Sequence, residues 1–200
     1  MFWWLDKQLR AIRGTQHYAI ADLPEVTVGR IVGVAKPLEG KTTEAGLSGR
    51  TCLAYVAKVK GVVGGASGVG LAANIGATAL TGVGIYGGSK EDMLVEVGGI
   101  PFLVEDETGV AIVDPDGATG AFEIDDKSSW FKGPTEHHKT FLRKYLMEDR
   151  MGLEYHEGIV SIGERVAVVG FGQRVDGQLR MSSSPHLPLV ICDNHATIKT

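Results

Sequence analysis

The stretch Ile100–Ala118, IPFLVEDETGVAIVDPDGA, predicts two β-strands joined by a tight turn and closed by a second turn. The first strand covers Pro101–Glu105 and the second covers Val110–Asp114. Asp106–Gly109 supplies the turn residues, and its glycine is free to take a positive φ. Asp114–Gly117 ends the second strand, because proline cannot continue a ladder. The stretch is a structural hairpin and contains no catalytic motif.

Length and composition favour one domain of moderate size. Hydrophobic residues make up 44% of the 200 residues, which is enough for a core. The net charge is −4, so the chain has no global basic field, and nucleic acid is not expected as a partner. Cys52 and Cys192 give neither a disulfide framework nor a zinc pattern. We expect them to be buried thiols in a chain that faces a reducing compartment.

Short strand patterns lie on both sides of the hairpin. Those before it are 26–36, 52–60 and 93–99, and those after it are 153–162, 164–175, 177–183 and 187–192. Pro134–Arg150 predicts a helix, with Pro134 in the first turn and Thr135 or Thr140 as cap. Ala121–Asp126 is expected to be short and exposed. The pattern predicts a β-rich α+β fold, a small OB-like β-barrel with one helix and a glycine-rich insertion.

The N-terminal residues 2–13, FWWLDKQLRAIR, predict a short amphipathic helix. Tryptophan beside cations is typical of a membrane interface, since indole is apolar with one polar group. The membrane-contact candidates are Phe2, Trp3, Trp4, Lys7, Arg10 and Arg13. The alternative is a helix that packs on its own domain. Residues 14–24 are expected to be a linker, so 1–25 forms an appendage to a β-rich domain over 26–200.

The stretch Gly61–Gly88 carries no charged residue and ten glycines. One interpretation is the phosphate loop of an NAD(P)-dependent short-chain oxidoreductase, built on Gly64–Gly70 with the pair Tyr86 and Lys90. That fingerprint requires a βαβ unit and an acidic residue about 20 positions on. The sequence pattern around Gly64–Gly70 shows neither feature. The oxidoreductase is therefore kept only as an alternative function.

A second interpretation of the same stretch is membrane insertion or self-association through closely packed helices. The helix-packing candidates at GxxxG spacing are Gly61, Gly65, Gly64, Gly68, Gly84 and Gly88. A single membrane span would place the strands before and after it on opposite sides of the bilayer. A re-entrant hairpin, or a glycine-zipper oligomer or pore, avoids that difficulty. The third interpretation is a surface insertion that buries its apolar residues against another part of the protein.

Other chemistry-bearing residues do not assemble into a site. The six histidines lack metal-ligand spacing, and His137 and His138 are adjacent, so they face different directions on a helix. Asp114 and Asp116 begin like a calcium loop whose later ligands are missing. We therefore expect no catalytic residues, no metal and no cofactor.

Three segments carry a resemblance to a known family: Leu47–Lys60, Pro101–Ala118 and Glu154–Met181, with LVICD at 189–193. They resemble the GIDE-type domain, also called the "beside a membrane" domain, of membrane-bound ubiquitin ligases of mitochondria and chloroplasts and their prokaryotic relatives. The resemblance implies a β-rich, non-catalytic domain that binds protein partners or substrates next to a bilayer. The family's ligases also carry a cysteine-rich RING domain, which two isolated cysteines cannot build. Ligase activity is therefore not transferred to this chain.

These observations predict a membrane-adjacent binding or assembly module that is not an enzyme. Its expected partners are another protein or a second copy of the chain, and a membrane surface. Its expected location is membrane-associated, facing a reducing compartment, and the alternative is a soluble cytoplasmic protein.

Overall fold

The computed structural model describes residues 3–61, 92–128, 133–147, 153–194 and 198, without the side chains of residues 3–7 and 92. Two α-helices lie in this part of the chain, α1 (Trp3–Gly14) and α2 (Glu136–Arg143). Two 3-10 helices cover Ile20–Asp22 and Leu38–Gly40. The strands are β1 (Thr27–Pro37), β2 (Thr43–Glu44), β3 (Thr51–Cys52), β4 (Ala54–Gly61), β5 (Asp92–Gly99), β6 (Phe102–Glu105), β7 (Val110–Val113), β8 (Thr119–Ala121), β9 (Asp126–Ser128), β10 (Leu153–Val160), β11 (Arg165–Val175), β12 (Gln178–Ser182) and β13 (Val190–Cys192).

Five strands close into a barrel in the order β1, β6, β7, β12, β11 and back to β1. If only these five strands are numbered in chain order, the order around the barrel is 1-2-3-5-4-1. The third and fifth strands, β7 and β12, pair in parallel, and the other four pairings are antiparallel. A closed five-stranded barrel of this kind is the OB arrangement, so the predicted β-rich, OB-like fold is confirmed.

The predicted central hairpin is β6 and β7, which pair from Phe102 with Val113 to Glu105 with Val110. The Asp106 carboxylate holds the turn, because its Oδ1 accepts the backbone N–H of Thr108 at 2.7 Å and that of Gly109 at 2.9 Å. The turn lies where the sequence predicted it, but the Asp106 carboxylate holds it, and Gly109 does not take a positive φ.

One end of the barrel is closed by residues that the sequence analysis placed in a linker. Ile20 and Leu23 are 1% and 2% exposed and lie in the barrel core. Asp106 Oδ2 accepts the Ile20 N–H at 2.9 Å, and Arg174 Nη2 donates to the Ile20 carbonyl at 3.0 Å. The linker prediction for 14–24 is wrong at these positions, because two apolar side chains there fill the open end of the barrel.

A second sheet covers the other end of the barrel, with strand order β5, β4, β10, β9. Its inner face shares one buried cluster with Phe102 of the barrel and contributes Val56, Val95, Val97 and Val160. Its outer face packs against α2 through Phe141 and Leu142, which are 1% and 0% exposed. The sheet is therefore packed on both faces around Val56, whereas Lys58 and Lys60 at the far end of β4 are half-buried.

The helix predicted over 134–150 is shorter than expected. Thr135 caps α2, because its Oγ1 accepts the His138 N–H at 3.2 Å while His138 Nδ1 accepts the Thr135 N–H at 3.1 Å. The helix ends at Arg143, and Leu146 has a φ of 55° in the following turn. That bend allows Met147, which is 4% exposed, to enter the cluster under α2.

The glycine-rich stretch connects two neighbouring antiparallel strands. Lys60 of β4 is the register partner of Asp92 of β5, and residues 62–91 lie between them outside the described residues. A dinucleotide-binding loop follows one strand of a parallel βαβ unit. The antiparallel pairing of β4 with both β5 and β10 therefore contradicts the oxidoreductase interpretation.

Of the six helix-packing candidates, the structure describes one, Gly61 at the end of β4. Gly61 is the last residue of that strand and pairs with Leu153, so its prediction as a helix-packing residue is wrong. The other helix-packing candidates, and the pair Tyr86 and Lys90, lie outside the described residues: Gly64, Gly65, Gly68, Gly84 and Gly88. No helix in the described part of the chain is long and apolar enough to cross a membrane.

Candidate functional site

The N-terminal helix lies against the barrel wall. Ile12 is fully buried in a cluster with Val32, Val169 and Cys192, and Arg30 Nη1 donates to the Ile12 carbonyl at 3.2 Å. The second half of α1 therefore packs on its own domain, which was the alternative to membrane contact.

The membrane-contact candidates have different positions on this helix. Arg10 and Arg13 are exposed, so they face away from the barrel wall. Trp3, Trp4 and Lys7 belong to α1, but their side chains lie outside the description, and Phe2 lies outside the described residues altogether. Membrane contact by α1 stays a prediction.

The interface between α1 and the barrel contains buried polar atoms without partners. Gln8 is 5% exposed, and neither its Oε1 nor its Nε2 has a hydrogen-bond partner. The same holds for Nε of Arg30, which is 6% exposed. Each buried atom of this kind costs about 1–3 kcal/mol, so α1 docks less favourably than its apolar contacts alone would suggest.

A cleft of about 710 Å³ opens on the outer barrel wall. Its floor is Val32–Val34 of β1, one wall is His17 and Ala19, and the other is 105–108 from the hairpin turn. Lys36 and Arg165 add positive charge beside the carboxylates of the second wall. Burial, and then the charge of Arg30, lowers the pKa of His17 below 6.5, so the imidazole is neutral at pH 7.

The floor of this cleft is an open position in a β-ladder. The backbone groups of successive residues in β1 point to alternate sides of the strand. Ala35 N donates to Glu164 O, on the side of β11. Val32 is three residues earlier, so its N–H and C=O point to the opposite side. On that side Arg30 pairs with the segment at His17, and β6 begins to pair only at Val34. The cleft therefore offers a backbone donor and acceptor between charged walls, which suits a short extended peptide segment.

A much smaller cavity, of about 10 Å³, lies beneath α2. Glu157, 1% exposed, accepts the Leu47 N–H on Oε1 at 2.7 Å, while its Oε2 has no partner. Ser128 Oγ lines the same cavity and also has no partner. The cap hydrogen bond occupies His138 Nδ1 and leaves the proton of the neutral ring on Nε2. A cavity with these polar neighbours and about 10–15 Å³ of space can hold one water molecule, and it is too small for a substrate.

A second buried carboxylate lies on the same outer face of the second sheet. Glu96, 2% exposed, accepts hydrogen bonds from Tyr55 at 2.5 Å and from Tyr145 of the turn after α2. Burial, together with the Glu96 charge, strongly raises the pKa of both tyrosines, which therefore remain protonated donors. This arrangement fixes the turn to β5 and provides no reactive group.

Neither cysteine is placed for covalent chemistry. Cys52 and Cys192 are fully buried, and burial raises their thiol pKa values to about 12 and about 11. A reactive cysteine needs an accessible thiolate at neutral pH. Within the described ranges, no group of three or more His, Cys, Asp or Glu side chains is placed to hold a metal ion.

The buried acids Glu96 and Glu157 were missed by the sequence analysis. Glu96 alternates in phase with the buried Leu94 of β5, and Glu157 alternates in phase with the buried Tyr155 of β10. This alternation could have predicted both buried acids. An acidic side chain on the buried face of a strand requires a hydrogen-bond or ionic partner there.

The described structure defines a class: an OB-like barrel extended by a second sheet, with polar groups buried beneath one short helix. A family model named GIDE and described as E3 ubiquitin ligase matches residues 89–195, which is slightly more than half of the chain. The chain belongs to the GIDE family, and no RING domain is detected in it. Comparisons with curated proteins and with solved structures find no match.

Proposed function

We propose that this chain is a non-catalytic binding or assembly module that sits beside a membrane, with residues 62–91 directed at the bilayer. The observation that carries the proposal is the pairing of Lys60 with Asp92. Because β4 and β5 are hydrogen-bonded neighbours, the chain leaves and re-enters the folded domain on the same side of any bilayer. The long uncharged run between these strands can then enter the membrane interface without dividing the domain.

The chemistry of the described residues supports a role in binding rather than catalysis. Both thiols are buried and protonated. The cavity at Glu157 has room for one water molecule, and the Glu96 carboxylate is occupied by two tyrosines. The family is described by ubiquitin ligase activity, and for this chain we propose the part of such a system that positions a partner.

The cleft over Val32 supports a protein partner or a second copy of the chain. It combines an open backbone position with charges of both signs, which is the chemistry that an extended peptide segment uses when it adds to a sheet. A light-scattering mass measured in detergent separates these occupants: a multiple of the chain mass supports self-association, including the glycine-zipper alternative.

The experiment is flotation of the full chain with phospholipid vesicles, beside a variant in which residues 62–91 are replaced by an Asn-Gly turn. The register at Lys60 and Asp92 allows this short closure, since it leaves the three-residue loop Gly61-Asn-Gly, and three-residue hairpin loops commonly end in a left-handed residue such as glycine. We expect the intact chain to float and the closed variant to remain in the soluble fraction with an unchanged Tm. An intact chain that does not float contradicts the proposal.

The matched control tests the other candidate contact. Deleting α1 would uncover the site of Ile12, so the control is the double variant Arg10→Glu and Arg13→Glu, two exposed positions. Unchanged flotation of this control assigns the membrane contact to 62–91. Loss of flotation in the control alone assigns it to α1.

A further inference from the structure

The turn after α2 contains an apolar side chain in an unusual position. Leu146 is 89% exposed and has a φ of 55°. A single exposed leucine is ordinary on a protein surface. Its backbone conformation is not, because the left-handed region costs a residue with a β-carbon roughly 1–2 kcal/mol and favours glycine or asparagine. Folding alone would therefore favour another residue at this position.

The turn itself is held firmly. Tyr145, one residue earlier, donates to the buried Glu96, and Met147, one residue later, is 4% exposed in the cluster under α2. The chain is therefore anchored on both sides of Leu146, and the fixed bend between these anchors presents the leucine to the outside.

Basic residues precede Leu146 in the sequence, and its turn contacts the strand that follows the glycine-rich stretch. Arg143 and Lys144 are exposed in the same turn, and residues 143–150 contain three basic and two acidic side chains. Lys144 Nζ lies 3.8 Å from Glu96 of β5. Glu96 is four residues after Asp92, a distance of about 13 Å along a strand.

We propose that Leu146 inserts into the surface of a phospholipid bilayer, with Arg143 and Lys144 contacting anionic headgroups. An apolar side chain beside cations suits this surface, since the leucine gains from burial among acyl chains and the cations from the negative lipid charge. This inference rests on the proposed function and names a membrane contact that lies within the folded domain.

Among the residues that the structure describes, one other apolar residue is both exposed and in the left-handed region, and the charges near it differ. Val26 is 65% exposed with a φ of 57°, next to Glu25 and near Asp22 in the sequence. Acidic neighbours repel an anionic surface. Val26 therefore provides a control with similar exposure and backbone conformation, in which the charged residues that precede it have the opposite sign.

The test compares wild type, Leu146→Asn and Val26→Asn by flotation with phosphatidylcholine vesicles that contain about 30 mol % phosphatidylserine. Asparagine tolerates the left-handed region, so the Tm of neither variant should fall. We expect vesicle partitioning to drop about tenfold for Leu146→Asn, as for the loss of one buried leucine, and to remain unchanged for Val26→Asn.

Each outcome separates this inference from the proposed function. If wild type and Leu146→Asn float equally, the inference is overturned and the proposed function stands. If the two variants lose partitioning equally, the effect is a general loss of surface hydrophobicity, which also overturns the inference. If wild type itself does not float, both fall.

Discussion

The two faces of the second sheet are built from the same strands and differ in chemistry. The inner face is aliphatic, with Val56, Val95 and Val97 packed in the cluster that continues into the barrel. The outer face alternates with it, and there Glu96 and Glu157 are almost fully buried beneath α2. Both faces bury apolar side chains, but the outer face also fixes α2 and its flanking turns in one position by directional hydrogen bonds.

The largest expected loss of stability comes from removing a large side chain from the hydrophobic cluster on the inner face. Phe102 is fully buried there, and Phe102→Ala should lower the free energy of unfolding by about 3–5 kcal/mol, because it removes a large apolar side chain and leaves a cavity. Chemical denaturation followed by circular dichroism measures the change. Phe102→Leu is the control and should cost clearly less. An equal loss in both variants would mean that cavity formation is not the cause.

A smaller effect is expected on the outer face when its acceptor is removed. Glu157→Ala leaves the buried Leu47 N–H without a partner, so we expect a loss of about 2–3 kcal/mol in the free energy of unfolding. Glu157→Gln keeps an acceptor at Oε1 and offers an N–H to the cavity at Ser128, so its loss should be below about 1 kcal/mol. If both variants behave alike, the negative charge matters more than the hydrogen bond.

The smallest effect is a pH dependence of stability to which His138, on the helix that covers the outer face, contributes. Burial lowers the folded-state pKa of His138 below 6.5, so the unfolded chain binds more protons as the pH falls below that value, and stability is lost. His17 and His156 shift in the same direction. Burial raises the pKa of Asp193 to about 7, which gives the opposite slope between its ordinary value of 3.8 and 7.

The measurement is therefore made in an Asp193→Asn background, which removes the opposing slope. The free energy of unfolding is compared at about pH 7.5 and about pH 5.5, with and without His138→Gln. The loss at the lower pH should be smaller in the His138→Gln variant and should not vanish, because His17 and His156 remain. An identical loss in both proteins would show that His138 does not titrate with folding.

Much of the fold was predictable where local pattern and tertiary contact agree. The stretch at 101–114 alternates in phase with the barrel interior, so Phe102, Val104, Ala111 and Val113 face inward as the pattern indicates. Thr135 begins α2 as the capping rule predicts. The order of short strands and the single long hairpin were sufficient for an OB-like barrel.

The rest depended on contacts between residues far apart in the chain. Ile20 and Leu23 lie in a short segment with no regular period, and only the open barrel end explains their burial. Phe122, in a segment expected to be exposed, is 4% exposed because β8 adds in parallel to β13 at the edge of the barrel sheet. The cleft over Val32 depends on where β6 begins to pair with β1, and the burial of Glu96 depends on the pairing of β5 with β4. Strand patterns in the sequence do not specify these pairings.

The pairing of β1 with β11 has a consequence for how the protein is made. Val34 of the first barrel strand pairs with Arg165, so the two sides of this ladder leave the ribosome far apart in time. Until β11 and β12 have been synthesised, β1 has an open edge and the barrel cannot close. Pairing between such distant segments slows folding and leaves apolar strands exposed in the meantime. The nascent chain therefore keeps this edge of β1 unpaired through most of its synthesis, although the finished barrel has no open edge at β1 next to β11.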